Sequence, residues 1–131
     1  MQISNVVAQL RTTDLSASID FYTTKLGLTL GFQYQDFYAG ICAGNQVFHL
    51  KRVDEMDPTI SFVDNNEHFH LYLQVDNISA WAEVLKSRGV CLVKDVHQTE
   101  WGTSEFVIKD DQGHTLYFGE AEGAGEASSS S

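Results

Sequence analysis

The sequence predicts an α+β protein: two βαβββ modules forming curved, mostly antiparallel sheets, with helices on the outside and a concave cleft. Three observations carry this. Several short stretches alternate apolar and polar residues with period two, as half-buried strands do. Two stretches change to helical spacing between an aspartate and a glycine, Asp14 to Gly27 and Asp76 to Gly89. Both intervals are 13 residues long, and self-similarity over half a chain reads as a structural repeat.

The elements follow in order. Asn5 to Thr12 alternates, with Val6, Ala8 and Leu10 on one face and Val7, Gln9 and Arg11 on the other. Asp14 is placed to cap a helix. Leu15, Ile19, Tyr22 and Leu26 form its apolar stripe, and Gly27 stops it. Strands are expected near Leu28–Tyr34, Phe37–Cys42 and Gln46–Arg52, the last two separated by the Gly44-Asn45 turn. The pattern restarts at His68, where Phe69, Leu71, Leu73 and Val75 alternate with His68, His70, Tyr72 and Gln74. Asp76 is expected to cap a second helix that buries Ile78, Trp81, Ala82 and Leu85, and Gly89 ends it. Strands then follow near Val90–Val96, Thr103–Lys109 and Thr115–Glu120. The modules span 5–53 and 67–120. A polar linker at 54–66 holds the only proline, Pro58, with a short extended piece at Ile60–Val63. A Gly/Ala/Glu/Ser tail at 121–131 has too little apolar surface to order itself.

Composition narrows the function. A chain of 131 residues buries roughly 65–70% of its unfolded surface, enough for a core without disulfides. Cys42 and Cys91 lie in apolar runs and read as buried thiols of a reducing compartment. No run approaches a membrane span of about 20 apolar residues, and Met1–Asn5 has no basic leader. The expected location is therefore cytoplasmic. A net charge of −10 disfavours nucleic acid and favours cationic ligands through long-range steering. No phosphate loop, nucleophile signature or basic stripe is present.

Alternation also assigns the faces. The apolar sets, including Phe48/Leu50, Phe106/Ile108 and Leu116/Phe118, belong under the helices, which need a partner for their stripes. The opposite face then carries Gln9, Arg11, His49, Lys51, His68, His70, Tyr72, Gln74, Glu105 and Tyr117. So many histidines and aromatics favour a cleft over a solvated surface.

These residues resemble a known family. Asp14-Leu15-Ser16-Ala17-Ser18-Ile19-Asp20-Phe21-Tyr22, ending in Lys25-Leu26-Gly27-Leu28, is similar to the first helix of vicinal oxygen chelate proteins. Asp110-Asp111-Gln112-Gly113-His114 resembles their turn before the last strand, with Asp111 in place of proline. Trp101-Gly102 and Asp36-Phe37-Tyr38-Ala39-Gly40 look like the bleomycin-resistance branch. The resemblance implies small-molecule binding, with Tyr38, His49, His70, Tyr72, Trp101 and Tyr117 as ligand-binding residues and no catalytic ones. The family's metalloenzymes place ligands at positions that fall here on Val7, His49, His70 and Tyr117, so only His49 and His70 keep a ligating side chain. Two imidazoles fall short of the three protein ligands of a catalytic site, and both read as polar wall residues. His114 reads as a structural turn residue, and His97 has no motif around it. No cofactor is then expected. The alternative is a metal-dependent lyase, isomerase or dioxygenase holding zinc, nickel, iron or manganese on His49 and His70. The resemblance also implies a homodimer.

Overall fold

The computed structural model describes residues 1–54 and 70–121. The Pro58 linker, His68, Phe69 and the tail beyond Ala121 lie outside the described residues. The chain divides into two compact units. The first takes the described residues up to Asp54 together with Asp110–His114, and the second takes 70–109 with 115–121.

In the first unit, β1 (Gln9–Thr12) leads to α1 (Leu15–Asp20), which continues as a π turn over Phe21–Lys25. Then come β2 (Thr29–Tyr34), β3 (Tyr38–Ala43) and β4 (Gln46–Arg52). The sheet order is β1-β4-β3-β2, with β1 and β4 parallel and the other pairs antiparallel. The second unit repeats this. β5 (His70–Gln74), α2 (Ile78–Ser87), β6 (Lys94–Gln98), β7 (Thr103–Lys109) and β8 (Thr115–Ala121) give the order β5-β8-β7-β6, with β5 and β8 parallel. These are two mixed four-stranded sheets with two helices, the α+β class expected.

Period two places the core correctly. Leu10, Phe48, Leu50, Ile41, Leu15 and Tyr22 are buried in the first unit, where α1 packs on β3 and β4. Phe106, Ile108, Leu116, Phe118, Ile78, Ala82 and Leu85 are buried in the second, where α2 packs on β6, β7 and β8. Phe106 and Phe118 stack across β7 and β8 at 4.8 Å. Leu71, Leu73 and Val75 are half-buried.

Four expectations need correction. Val6 is 92% exposed, because β1 begins only at Gln9 and the residues before it join no strand. Trp81 is exposed, since Ile78, Ala82 and Leu85 already fill the buried stripe of α2. Cys91 is exposed and Cys42 half-buried, because β6 starts three residues after Cys91; both thiols are free. Asp76 does not cap α2.

The capping difference has a physical cause. Asp14 accepts from the Ala17 N–H at 3.0 Å, as its spacing predicts. In α2 the flanking residue is Asn77, in the left-handed region at φ 59°, a conformation asparagine tolerates better than most residues. The orphan N–H groups of Asn77 and Ile78 are taken instead by Glu120 of β8, one to each carboxylate oxygen at 3.0 Å. From cap to stop, α1 therefore runs from Asp14 to Gly27 and α2 from Asn77 to Gly89, one residue less. The π turn takes up the extra residue, with Leu26 N–H reaching back to Phe21 O at 3.1 Å.

These two backbone bonds hold the Glu120 carboxyl below its usual range. A lowered folded-state value stabilises the fold above the unfolded value and loses that contribution as pH falls through the folded one. Glu120→Gln is expected to lower the melting temperature at pH 7 and to flatten its decline below about pH 4.5, the ordinary carboxyl value. Thermal melts of both proteins between pH 3 and 7 check this.

The Asp110–His114 turn is built from its first residue. Asp110 Oδ1 accepts the N–H groups of Gln112 and His114 at 2.9 and 2.8 Å. Asp110 Oδ2 accepts the Tyr22 hydroxyl at 2.6 Å. Asp111 accepts from Ser18 of α1 at 2.7 Å, and Gln112 Oε1 accepts both the Thr13 N–H and hydroxyl at 3.0 Å. His114 Nε2 donates to the Arg11 carbonyl at 2.8 Å, a structural role as expected.

Candidate functional site

Each sheet has one face under its helix, and the alternate residues point away from it. In the first unit the register aligns Gln9, His49, Gly40 and Phe32 across β1, β4, β3 and β2, with Tyr38 two residues from Gly40 on the same face. Gln9 Nε2 donates to Tyr38 Oη at 2.9 Å, and Tyr38 Oη lies 3.0 Å from His49 Nδ1. The direction of the Tyr38–His49 hydrogen bond follows the imidazole tautomer, since the phenol can accept from Gln9 and still either donate to Nδ1 or accept from it. Phe32 lies nearly parallel to Tyr38 at 6.3 Å and edge-on to His49 at 5.4 Å. A β-carbon at Gly40 would run into the Phe32 ring, so the missing side chain makes room for it.

The second unit builds the same lattice from other residues. Tyr72, Tyr117 and Val107 are aligned across β5, β8 and β7, and Glu105 pairs with Gly119 two residues along. Tyr72 Oη donates to Glu105 Oε2 at 2.8 Å, and the Thr103 hydroxyl donates to the same oxygen at 3.1 Å. The Tyr72 and Tyr117 rings are 6.4 Å apart and inclined by 13°. A β-carbon at Gly119 would collide with the hydroxyl end of Tyr72. Burial, then the Glu105 hydrogen bond and charge, raise the Tyr72 phenol above its ordinary value, so it stays a proton donor. By register, Gln9 corresponds to Tyr72, His49 to Tyr117, and Tyr38 to Glu105.

Of the residues the sequence singled out, Tyr38 and His49 meet in the first unit, and Tyr72 and Tyr117 meet in the second. Trp101 is 73% exposed in the turn between β6 and β7. His70 pairs by its backbone with Thr115, and its side chain lies outside the described residues. His97 turns Nδ1 toward the Asp95 carbonyl at 2.9 Å. Two further side chains belong to the site: Gln9, on the face expected for it but with no role assigned by sequence, and Phe32 of β2, which the alternation does not mark. Beyond a bulge between Leu30 and Phe32, Phe32 and Tyr34 share the helix-free face of β2, and Gly40 opposite Phe32 on β3 is the signal that finds it.

A family model for the glyoxalase/bleomycin resistance protein/dioxygenase superfamily matches residues 3–118. The chain belongs to this superfamily. Solved structures agree on the fold. The bleomycin-binding protein of bleomycin-producing Streptomyces verticillus, complexed with copper(II)-bleomycin, is 21% identical at a TM-score of 0.72; the match covers 93% of this chain and 99% of that one. TioX of Micromonospora sp. ML1 is 19% identical at 0.71, covering 90% and 96%. A lactoylglutathione lyase of Agrobacterium tumefaciens is 16% identical at 0.69, covering 91% and 95%. The comparison with curated proteins finds no match.

The superfamily includes metal-dependent members, so the donor set is the test. Of the family's ligand positions, Val7 has no donor atom and Tyr117 offers only a phenol. His49 Nδ1 is engaged by Tyr38. Among the described residues no three of His, Cys, Asp or Glu come together as a ligating group. The family positions supply two imidazoles at most, which does not fit a catalytic divalent ion. No helix among the described residues is long and apolar enough to cross a membrane.

Proposed function

We propose that this protein binds a cationic or aromatic, antibiotic-like small molecule without a metal, in an aromatic-lined cleft of a cytoplasmic homodimer. The observation that carries the reading is the chemistry of the two helix-free faces. Tyr38, Phe32 and His49 on one, and Tyr72 and Tyr117 on the other, are rings fixed by hydrogen bonds or ring contacts yet partly open. Rings of this kind stack on planar heterocycles and attract cations. His49 Nε2 and the Tyr38–Gln9 pair add a few polar fixers, as ligand sites require. Trp101 is exposed and available as a further stacking surface. The relative bound to copper(II)-bleomycin supplies the first compound to try.

Calorimetry of chelator-treated protein with metal-free bleomycin is expected to show saturable heat with micromolar or tighter affinity. Trp101 emission should change alongside, and Trp101→Phe should remove that change. No heat with bleomycin or related cationic compounds would refute the antibiotic part of the reading. Light scattering at monomer mass would refute the dimer.

A further inference from the structure

We propose that the helix-free face of the second unit holds a subsite for an organic cation, with Glu105 as counter-charge and the Tyr72 and Tyr117 rings as the surface it lies on. This rests on the small-molecule reading above and deepens it. Glu105 is only 4% exposed, and a carboxylate in such a place is costly unless paired. Its partners are two hydroxyls, Tyr72 and Thr103, both on Oε2. Hydroxyls satisfy lone pairs but bring no positive charge. Among the described residues no Lys, Arg or His forms an ion pair with it.

The setting favours an organic cation over an inorganic one. Oε2 already has two donors, and no second and third ligating side chain stands with Glu105 among the described residues. Hard metal ions need several oxygen ligands. An alkylated or planar cation needs one charge and aromatic faces instead, and Tyr72, hydrogen-bonded to the carboxylate, lies nearly parallel to Tyr117. Tyr72 is 48% exposed, so the ring is accessible.

The first unit sharpens the argument. At the lattice position of Glu105 it carries Tyr38, and at that of Tyr72 it carries Gln9. The same cross-strand bridge is made in both, 2.9 Å in one and 2.8 Å in the other. One is neutral and the other is charged. The repeat shows that the bridge needs no carboxylate to form, so the bridge alone does not account for the charge of Glu105. The net charge of −10 draws cations to the same protein.

The test compares 10-methylacridinium, a planar cation, with acridone, an uncharged ring system of similar size, by fluorescence titration of the full chain. The wild type is expected to prefer the cation by about tenfold or more, the range of a charge-assisted contact over a neutral one. Glu105→Gln should abolish that preference and leave acridone affinity within about twofold, because the amide oxygen still accepts from Tyr72. In the unmodified protein the cation should shift the Tyr72 and Tyr117 ring protons, which keeps the test independent of any variant. Equal affinities in the wild type, an unchanged preference in Glu105→Gln, or unshifted rings would each overturn the subsite. Binding of neither probe would overturn the subsite, while the small-molecule reading stands or falls on the bleomycin calorimetry.

Discussion

Asp110→Ala is expected to destabilise the protein by about 3 kcal/mol or more, lowering the melting temperature by roughly 10 °C or more. Asp110 is buried and accepts three hydrogen bonds, from Tyr22, Gln112 and His114. Alanine leaves the turn without its side-chain acceptor and strands a fully buried phenol. The phenol cannot escape by ionising, because burial, the largest cause of its raised value, remains when Asp110 is gone. Tyr22→Phe separates the contributions. It removes one hydrogen bond while keeping the ring packed edge-on to Phe48 at 5.1 Å, and should cost only about 1 kcal/mol. Chemical denaturation of the two variants and the wild type measures both. A cost for Asp110→Ala no larger than that of Tyr22→Phe would mean that the turn does not depend on its aspartate.

Gly119→Val should have the opposite profile, a large loss of binding with a small change in stability. A β-carbon there meets the hydroxyl end of Tyr72, an exposed side chain that can swing away. The Tyr72–Glu105 bond and the near-parallel arrangement with Tyr117 go with it. Affinity for a cationic aromatic ligand is expected to fall more than about tenfold. The lost hydrogen bond is partly offset by valine's preference for strands, so stability should change by about 1 kcal/mol or less. Denaturation together with ligand titration distinguishes this from unfolding. Unchanged affinity in a folded variant would separate the Tyr72 position from ligand binding.

Much of this architecture is legible in the sequence, for a definable reason. In a strand buried on one face, period two leaves little choice, so Leu10, Phe48, Leu50, Phe106 and Ile108 were assigned correctly. Asp14 is legible as a cap because its carboxylate acts three residues away. Features that depend on distant residues were not visible. Glu120 caps α2 from 43 positions downstream, and no local pattern distinguishes it from Asp76. The π turn hides in a helix stripe whose buried residues are otherwise well spaced. Glu105 was placed on the correct face, but its bond to Tyr72 spans 33 positions and its burial cannot be read from alternation. Phe32 was missed because β2 is exposed along its whole length and lacks the contrast that marks a buried face.

The central claim is that ligand chemistry resides on the helix-free faces of the two sheets and needs no metal. Amide and ring chemical-shift mapping with metal-free bleomycin, in the presence of a chelator, tests both parts at once. The account predicts perturbations clustered at Gln9, Tyr38, His49, Tyr72, Trp101 and Tyr117, and silence at Leu15, Ser18, Ala82 and Leu85 under the helices. Perturbations centred on the helices, or none until a divalent metal is added, would contradict it.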